Sequence, residues 1–403
     1  MNLFGMQDQG VRTMLRSTVW IVAALATAGI TAWAQAPGGS GRGGGRGRGP
    51  SIVSPQVNPD HTVTLRFRAP EAKEVVVIGE IDGKNHPMTK DANGVWTATI
   101  GPLAPDVYNY QFNVDGVIAM DPQNPSVKLG FGAFPPANLV EVPGDGAVFD
   151  DAKPVPHGTV RFEIYDSKTV GAPRTLWIYT PPGYDKGNQK YPVFYLLHGS
   201  GNIDSSWVLT GRENIIMDNL IAEGKTKPMI IVNPLGYVEQ GVGLGPVRAA
   251  DATATTGRGG QGNLFGDDLI KDVIPYVEKN YRVLKDADHR ALGGLSMGGG
   301  QTISVGFPHT DLFHTLVIMS AGAQNADKTY PMFFDNPAAT NKTMKLVWLG
   351  VGKDDNLVGP SAKALEATLV AKGIKHVYSL SEGRHEWVVW RHALYDVAPQ
   401  MFR

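Results

Sequence analysis

The apolar run Ala291-Leu292-Gly293-Gly294-Leu295 ends in Ser296, and Met297-Gly298-Gly299-Gly300 follows at once. A buried-type strand that meets a glycine-flanked serine and then enters a helix has few backbones open to it. The glycines let main chain pass close on both sides of a tight elbow. Ser296 then projects above a sheet, and the Met297 N–H is free to face a developing negative charge. A serine hydroxyl is a weak nucleophile until a base and such donors stand beside it. With 49 glycines among 403 residues, a Gly-x-Ser-x-Gly pentapeptide also arises by chance, so the rest of the chain has to supply those partners.

Three further segments supply them in a consistent order. Tyr195-Leu196-Leu197 runs into His198-Gly199-Ser200-Gly201, where the loop after a buried strand is expected to give the second oxyanion N–H from Ser200. His198 itself reads as structural. Lys345–Gly352 is an apolar strand followed by Lys353, Asp354 and Asp355. An acid here would hold a histidine tautomer and stabilise the imidazolium, and the Gly-x-x-Asp spacing favours Asp355 over Asp354. Last comes Glu382-Gly383-Arg384-His385-Glu386-Trp387, with His385 as the candidate base. His376 opens a strand and His392 falls in a terminal helix, so neither has a loop position facing the elbow.

The surrounding pattern is strands alternating with helices. Strands are expected at 160–165, 175–179, 193–197, 229–232, 290–292, 315–319, 345–349 and 376–380, several of them near-continuous apolar runs of the kind covered on both faces. Helices are expected at 214–223, 267–281 and 362–372, the second bent by Pro275. This is a mainly parallel α/β sheet with flanking helices, spanning 156–403. Ahead of it, 52–143 reads as short strands at 62–67, 74–78, 95–100 and 107–114, with turn residues at Asp91–Gly94 and Asp115-Gly116. That spacing suits a small all-β immunoglobulin-like sandwich. Trp96, Tyr108, Tyr110 and Phe112 are expected in its core and cross-strand pairs.

At the N-terminus, Arg12 and Arg16 precede an apolar stretch from Val19 to Ile30, which ends at Ala32-Trp33-Ala34. That order predicts an export signal over 1–34, because the stretch is shorter than the ~20 apolar residues that span a bilayer. Residues 35–51 are a Gly/Arg-rich linker with no side chain able to join a core. The chain is thus expected to be exported, periplasmic or secreted, with no stable membrane insertion after cleavage. A formal net charge of -1 gives no broad field for nucleic acid, and the short run of Arg42, Arg46 and Arg48 reads as a solvated tether. Zero cysteines exclude disulfides, thiolate metal sites and a cysteine nucleophile. No cofactor and no metal site are expected, since no histidines pair with acids at ligand spacing.

Two resemblances bear on these residues. The region 156–403 resembles the esterase-D-like α/β-hydrolases of carbohydrate esterase family 1, which include feruloyl and acetyl-xylan esterases and relatives acting on siderophore esters. The matching segments are Tyr179–Tyr184, Leu196–Gly199, Asp218–Gly224, Ile274–Glu278 and Gly293–Gln301. The resemblance implies a triad of Ser296, Asp355 and His385, oxyanion N–H groups at Ser200 and Met297, and substrate contacts at Gly199, Trp207, Gln301 and Trp387. The front sandwich resembles the glycogen-binding type of immunoglobulin-like module. Lys84 stands where those modules carry a sugar-stacking tryptophan, which leaves a packing or spacer role for the sandwich. The insertion 236–262, which includes Arg258, falls where this fold builds acyl-pocket walls, and would be a lid if mobile or a narrowing wall if ordered.

The expected reaction is hydrolysis of a hydroxycinnamoyl or short acyl ester of a sugar or polysaccharide through an acyl-serine. Acyl transfer or siderophore-ester hydrolysis on the same triad stays open, as does a carbohydrate-binding protein with a silent hydrolase domain. Oligomeric state is not legible.

Overall fold

The computed structural model describes residues 52–238 and 262–403, and residues 52–403 form one compact unit. The expected export signal at 1–34, the linker at 35–51 and nearly all of the insertion, Arg258 included, lie outside the described residues.

The front sandwich pairs a four-stranded sheet with a six-stranded one, antiparallel throughout. Its longest strand, Asp106–Val114, sits between Val75–Gly79 and Ala137–Val142, with Val77 opposite Phe112. Alternation works as the period of two requires: Val75 and Val77 are buried while Val76 and Ile78 are only partly so. The core holds Val63, Leu65, Trp96, Tyr110 and Phe112, and Phe67 lies 4.7 Å from Phe112 between ring centroids. Trp96 and Tyr110 thus serve packing, as expected, and Trp96 gives its indole N–H to Ala69 C=O at 2.8 Å.

The second region is an eight-stranded sheet. In spatial order its strands are Thr159–Ser167, Ala172–Thr180, Ile230–Pro234, Val193–Leu197, Arg290–Leu295, Thr315–Met319, Leu346–Gly352 and Val377–Ser381. The first two strands form an antiparallel hairpin, Ala172–Thr180 runs antiparallel to its next neighbour, and every later pairing is parallel. Apolar residues of one strand feed opposite layers alternately. Tyr195, Leu292 and Ile318 pack with Phe265, Leu269 and Ile303 on one face, while Phe194, Leu196 and Val317 pack with Ile216, Met217 and Leu394 on the other. That two-sided burial explains the unbroken apolar runs of these strands. The expected helix at 267–281 differs in detail. It comprises the helical turns Gly262–Asp268 and Ile274–Asn280 with a π-helical turn at Leu269–Val273 between them. Pro275 has no N–H and its ring excludes the carbonyl four residues back, so the ladder widens by one residue just ahead of it.

A buried ionic junction ties the two regions together. Arg391, in the C-terminal helix Trp387–Val397, is fully buried and binds Asp106 at the start of the long sandwich strand. Its Nε donates to Asp106 Oδ1 at 3.1 Å, and its other donors reach the Val107 and Thr210 carbonyls. Burial disfavours the Asp106 carboxylate, but His392 and Arg391 outweigh it and hold the group below its ordinary value. Removing one partner of such a pair leaves a buried charge uncompensated, at a cost of roughly 3–5 kcal/mol. The sandwich is therefore packed into the molecule and is no tethered spacer. Among the described residues no helix is long and apolar enough to cross a membrane.

Candidate active site

Ser296 stands at the carboxyl end of Arg290–Leu295, with the helix Met297–Gly306 beginning at the next residue. Its φ of 51° and ψ of -112° lie in territory that side-chain-bearing residues rarely occupy, and the bond from its N–H to Met319 C=O at 2.9 Å helps to hold it there. The motif's glycines have specific reasons. A Cβ on Gly294 would fall 2.7 Å from both Leu197 Cβ and Leu197 O, and one on Gly298 would fall 2.7 Å from His198 O. Only bare backbone lets the elbow sit this close to the neighbouring strand and its loop. As the first helical residue, Met297 has an N–H with no intrahelical acceptor.

His385 follows the edge strand Val377–Ser381, and Asp355 follows Leu346–Gly352. The imidazole bridges the other two side chains: Nε2 lies 2.9 Å from Ser296 Oγ and Nδ1 lies 2.8 Å from Asp355 Oδ2. Because a carboxylate can only accept, Nδ1 carries the proton and Nε2 is left to accept from the serine hydroxyl. Burial pushes against a charged Asp355, but the His385 bond and the Val358 and Leu357 amides prevail and keep its carboxyl below 3.8. Asp354 is exposed and its backbone N–H binds Gly383 C=O at 3.0 Å. Trp390 sets its ring edge-on to His385 at 5.1 Å and is itself fixed by an indole N–H bond to Ser320 Oγ at 3.0 Å.

On the other side, the loop after Val193–Leu197 brings Gly199 against the elbow; a Cβ there would fall 3.3 Å from Ser296 Cβ. His198 is buried, donates from Nδ1 to Gly199 C=O at 2.8 Å and accepts the Gly236 N–H on Nε2 at 2.9 Å. Burial holds its pKa down at about 4, so it is neutral. Ser200 is exposed beside this brace. Gln301 is half-buried and donates to Gly236 C=O at 2.8 Å. Two expected substrate contacts are corrected. Trp207 and Trp387 are 0% and 1% exposed, stacked edge to face at 5.3 Å, and Trp207 gives its indole N–H to Leu197 C=O. They belong to the core under the loop that follows Val193–Leu197, because their large apolar rings are worth more to the fold buried than exposed.

Several residues that the sequence reading passed over stand close by. Arg384 contacts Glu386 at 2.9 Å and reaches Glu80 C=O in the sandwich at 3.4 Å. Phe131 and Phe134, also in the sandwich, meet Gly201. The one signal available was the turn Gly130-Phe131-Gly132-Ala133-Phe134, which puts two large aromatics among residues unsuited to a strand core. Among the described residues no cluster of three metal-ligating side chains occurs.

Such a constellation at the carboxyl ends of a parallel sheet defines an α/β-hydrolase. The family described as "Putative esterase" matches residues 167–401, and carbohydrate-binding module 48 (isoamylase N-terminal domain) matches residues 53–124. The chain belongs to that esterase family and carries this module in front. It is 33% identical over 363 residues to an endo-1,4-beta-xylanase/feruloyl esterase of Xylanibacter ruminicola, covering 88% of this chain and 46% of the relative. An endo-1,4-beta-xylanase Y of Acetivibrio thermocellus is 25% identical over 58% of this chain and 22% of its own length. The chain thus spans less than half of these curated relatives. Among solved structures, a ferulic acid esterase of Anaeromyces mucronatus aligns over 62% of this chain and 93% of its own, with a TM-score of 0.52 and 24% identity. The enterobactin esterase of Shigella flexneri aligns over 84% of this chain and 92% of its own, with a TM-score of 0.60 and 17% identity.

Proposed function

We propose that the protein is an exported serine carboxylic ester hydrolase that releases hydroxycinnamoyl or short acyl groups from sugar or polysaccharide esters. The observation that carries this is the unbroken line from Ser296 Oγ through both His385 nitrogens to Asp355. Ser296 Oγ attacks the ester carbonyl carbon while His385 Nε2 takes the hydroxyl proton, and Asp355 stabilises the imidazolium. The carbonyl oxygen becomes an oxyanion facing the Met297 and Ser200 N–H groups. On collapse the carbon–oxygen bond to the alcohol breaks, and His385 returns its proton to the departing oxygen. Water, deprotonated by the same imidazole, then releases the acid and restores Ser296.

The aromatic acid is favoured by the likeness to the endo-1,4-beta-xylanase/feruloyl esterase of Xylanibacter ruminicola. Export is favoured by the signal-like order of residues 1–34. The test is turnover of p-nitrophenyl acetate and methyl hydroxycinnamates by the intact protein and by Ser296→Ala. Hydrolysis by the first and none above background by the second is expected; equal rates would refute the assignment. With a sugar acceptor present, a new sugar ester in place of free acid would redirect the reading to acyl transfer.

A further inference from the structure

The sandwich turn between Val127–Lys128 and Ala137–Val142 reaches into the hydrolase region. Phe131 N–H donates to Gly201 C=O at 3.2 Å, and Phe134 N–H closes the turn onto Phe131 C=O at 3.2 Å. The Phe134 ring lies directly over Gly201, where a Cβ would fall 2.4 Å from its Cγ. Gly201 holds φ +77°, so both the conformation and the approaching ring require glycine. The Phe131 ring packs on Tyr237 at 4.5 Å, and Tyr237 Oη accepts the Gly201 N–H at 2.6 Å. The residue just after Ser200 is therefore clamped by two phenylalanines from the other region. Yet Phe134 is 53% exposed and Phe131 only half-buried. Two rings fixed by backbone bonds, partly open to water and beside a reaction centre, are a ready apolar surface.

We infer that Phe131 and Phe134 form the wall on which the acyl group of the ester lies, making the sandwich a specificity element of the hydrolase. The inference rests on the acyl-Ser296 reading. During the first half-reaction His385 hands its proton to the departing oxygen, so the alcohol occupies the imidazole side. The carbonyl oxygen points at the Met297 and Ser200 amides. The remaining substituent, the acyl chain, is assigned to the flank opposite His385, where Gly199 packs on Ser296 and Gly201, two residues on, carries the phenylalanines. Another contact of the sandwich, on the opposite flank of Ser296, has the opposite chemistry. On the His385 side it offers the Glu80 carbonyl beside the Arg384–Glu386 pair, a polar environment that suits a hydroxyl-rich alcohol. A flat aromatic acyl group gains most from such a wall, through offset stacking on ring faces.

The test is the double substitution Phe131→Leu and Phe134→Leu in the full chain, which keeps apolar bulk on Gly201 and removes the rings. The readout is the ratio of kcat/KM for p-nitrophenyl ferulate to that for p-nitrophenyl acetate, two esters with one alcohol. About a tenfold fall in that ratio is expected, carried mainly by KM for the ferulate, with Phe134→Tyr restoring most of it. An unchanged ratio, with both esters falling together, would assign the rings a purely structural role and overturn the inference. So would a change seen only when a sugar-linked ferulate is compared with methyl ferulate, because that places the alcohol on this wall. Ferulate binding to Ser296→Ala separates the two layers of argument, since it needs no turnover. The double substitution is expected to weaken that binding about tenfold even if no ester is cleaved, and an unaltered affinity would overturn the inference.

Discussion

Two loops flank Ser296, each following the end of a parallel strand and each holding a histidine, and they use it oppositely. His198 is 1% exposed, with its Nδ1 proton given to Gly199 C=O and its Nε2 filled by the Gly236 N–H. No valence is left for chemistry, and with its pKa held down at about 4 it stays neutral. His385 has its side chain 19% exposed, a carboxylate on one nitrogen and the serine hydroxyl on the other. Partners on the ring nitrogens make one histidine a brace and leave the other placed for the role of base that we propose.

The comparison breaks most sharply at His385. His385→Ala is expected to lower kcat on a hydroxycinnamate ester by about 10⁶-fold, as loss of a triad base does, without a matching change in KM. A loss under tenfold would deny it the role of base. Asp355→Asn keeps the shape of the site but fixes the wrong tautomer, so a fall of about 10⁴ in kcat is expected. A mild loss there, matched by a severe one for Asp354→Asn, would move the acid by one residue.

The smallest effect is expected at His198. His198→Asn retains a donor toward Gly199 and loses the acceptor for Gly236, so the loop proposed to carry the second oxyanion donor loosens. About a tenfold drop in kcat should follow, less than the loss of a whole oxyanion donor. Its signature lies in stability. Unfolded, the imidazole binds a proton near pH 6.5; folded, it does so only near 4. The unfolded chain therefore holds the extra proton between those values. The contribution is intact above about pH 6.5 and is lost as pH falls toward 4, by something on the order of 3 kcal/mol. Urea unfolding of both proteins at pH 7 and pH 4.5 checks this: the variant should lose less stability on acidification, and parallel losses would refute a buried neutral imidazole.

The strands were legible wherever two-sided burial wrote an unbroken apolar run, as in Val193–Leu197 and Thr315–Met319. Ser296 and Asp355 were legible because each is a polar residue just past such a run, and His385 because it follows the last strand in an order that one fold accounts for. Trp207 and Trp387 were misread as substrate contacts, since an aromatic near a motif looks the same in sequence whether its ring faces the ligand or the layer beneath. The sandwich's role was hidden for a different reason. Arg391 meets Asp106 across 285 positions of chain and Phe131 meets Gly201 across a domain boundary, and no local periodicity encodes either contact. Lys84, where a stacking tryptophan was absent, argued against sugar binding but could not point to the turn that reaches Gly201.

If Ser296 is the nucleophile, an aryl phosphonate that reacts with activated serines will mark it. Treated with a slight excess and digested for mass spectrometry, the protein should carry one adduct per chain, on the peptide containing Ser296, with esterase activity falling in proportion to labelling. Adduct formation at another residue with loss of activity, or full activity in protein whose Ser296 is labelled, would deny Ser296 the role of nucleophile.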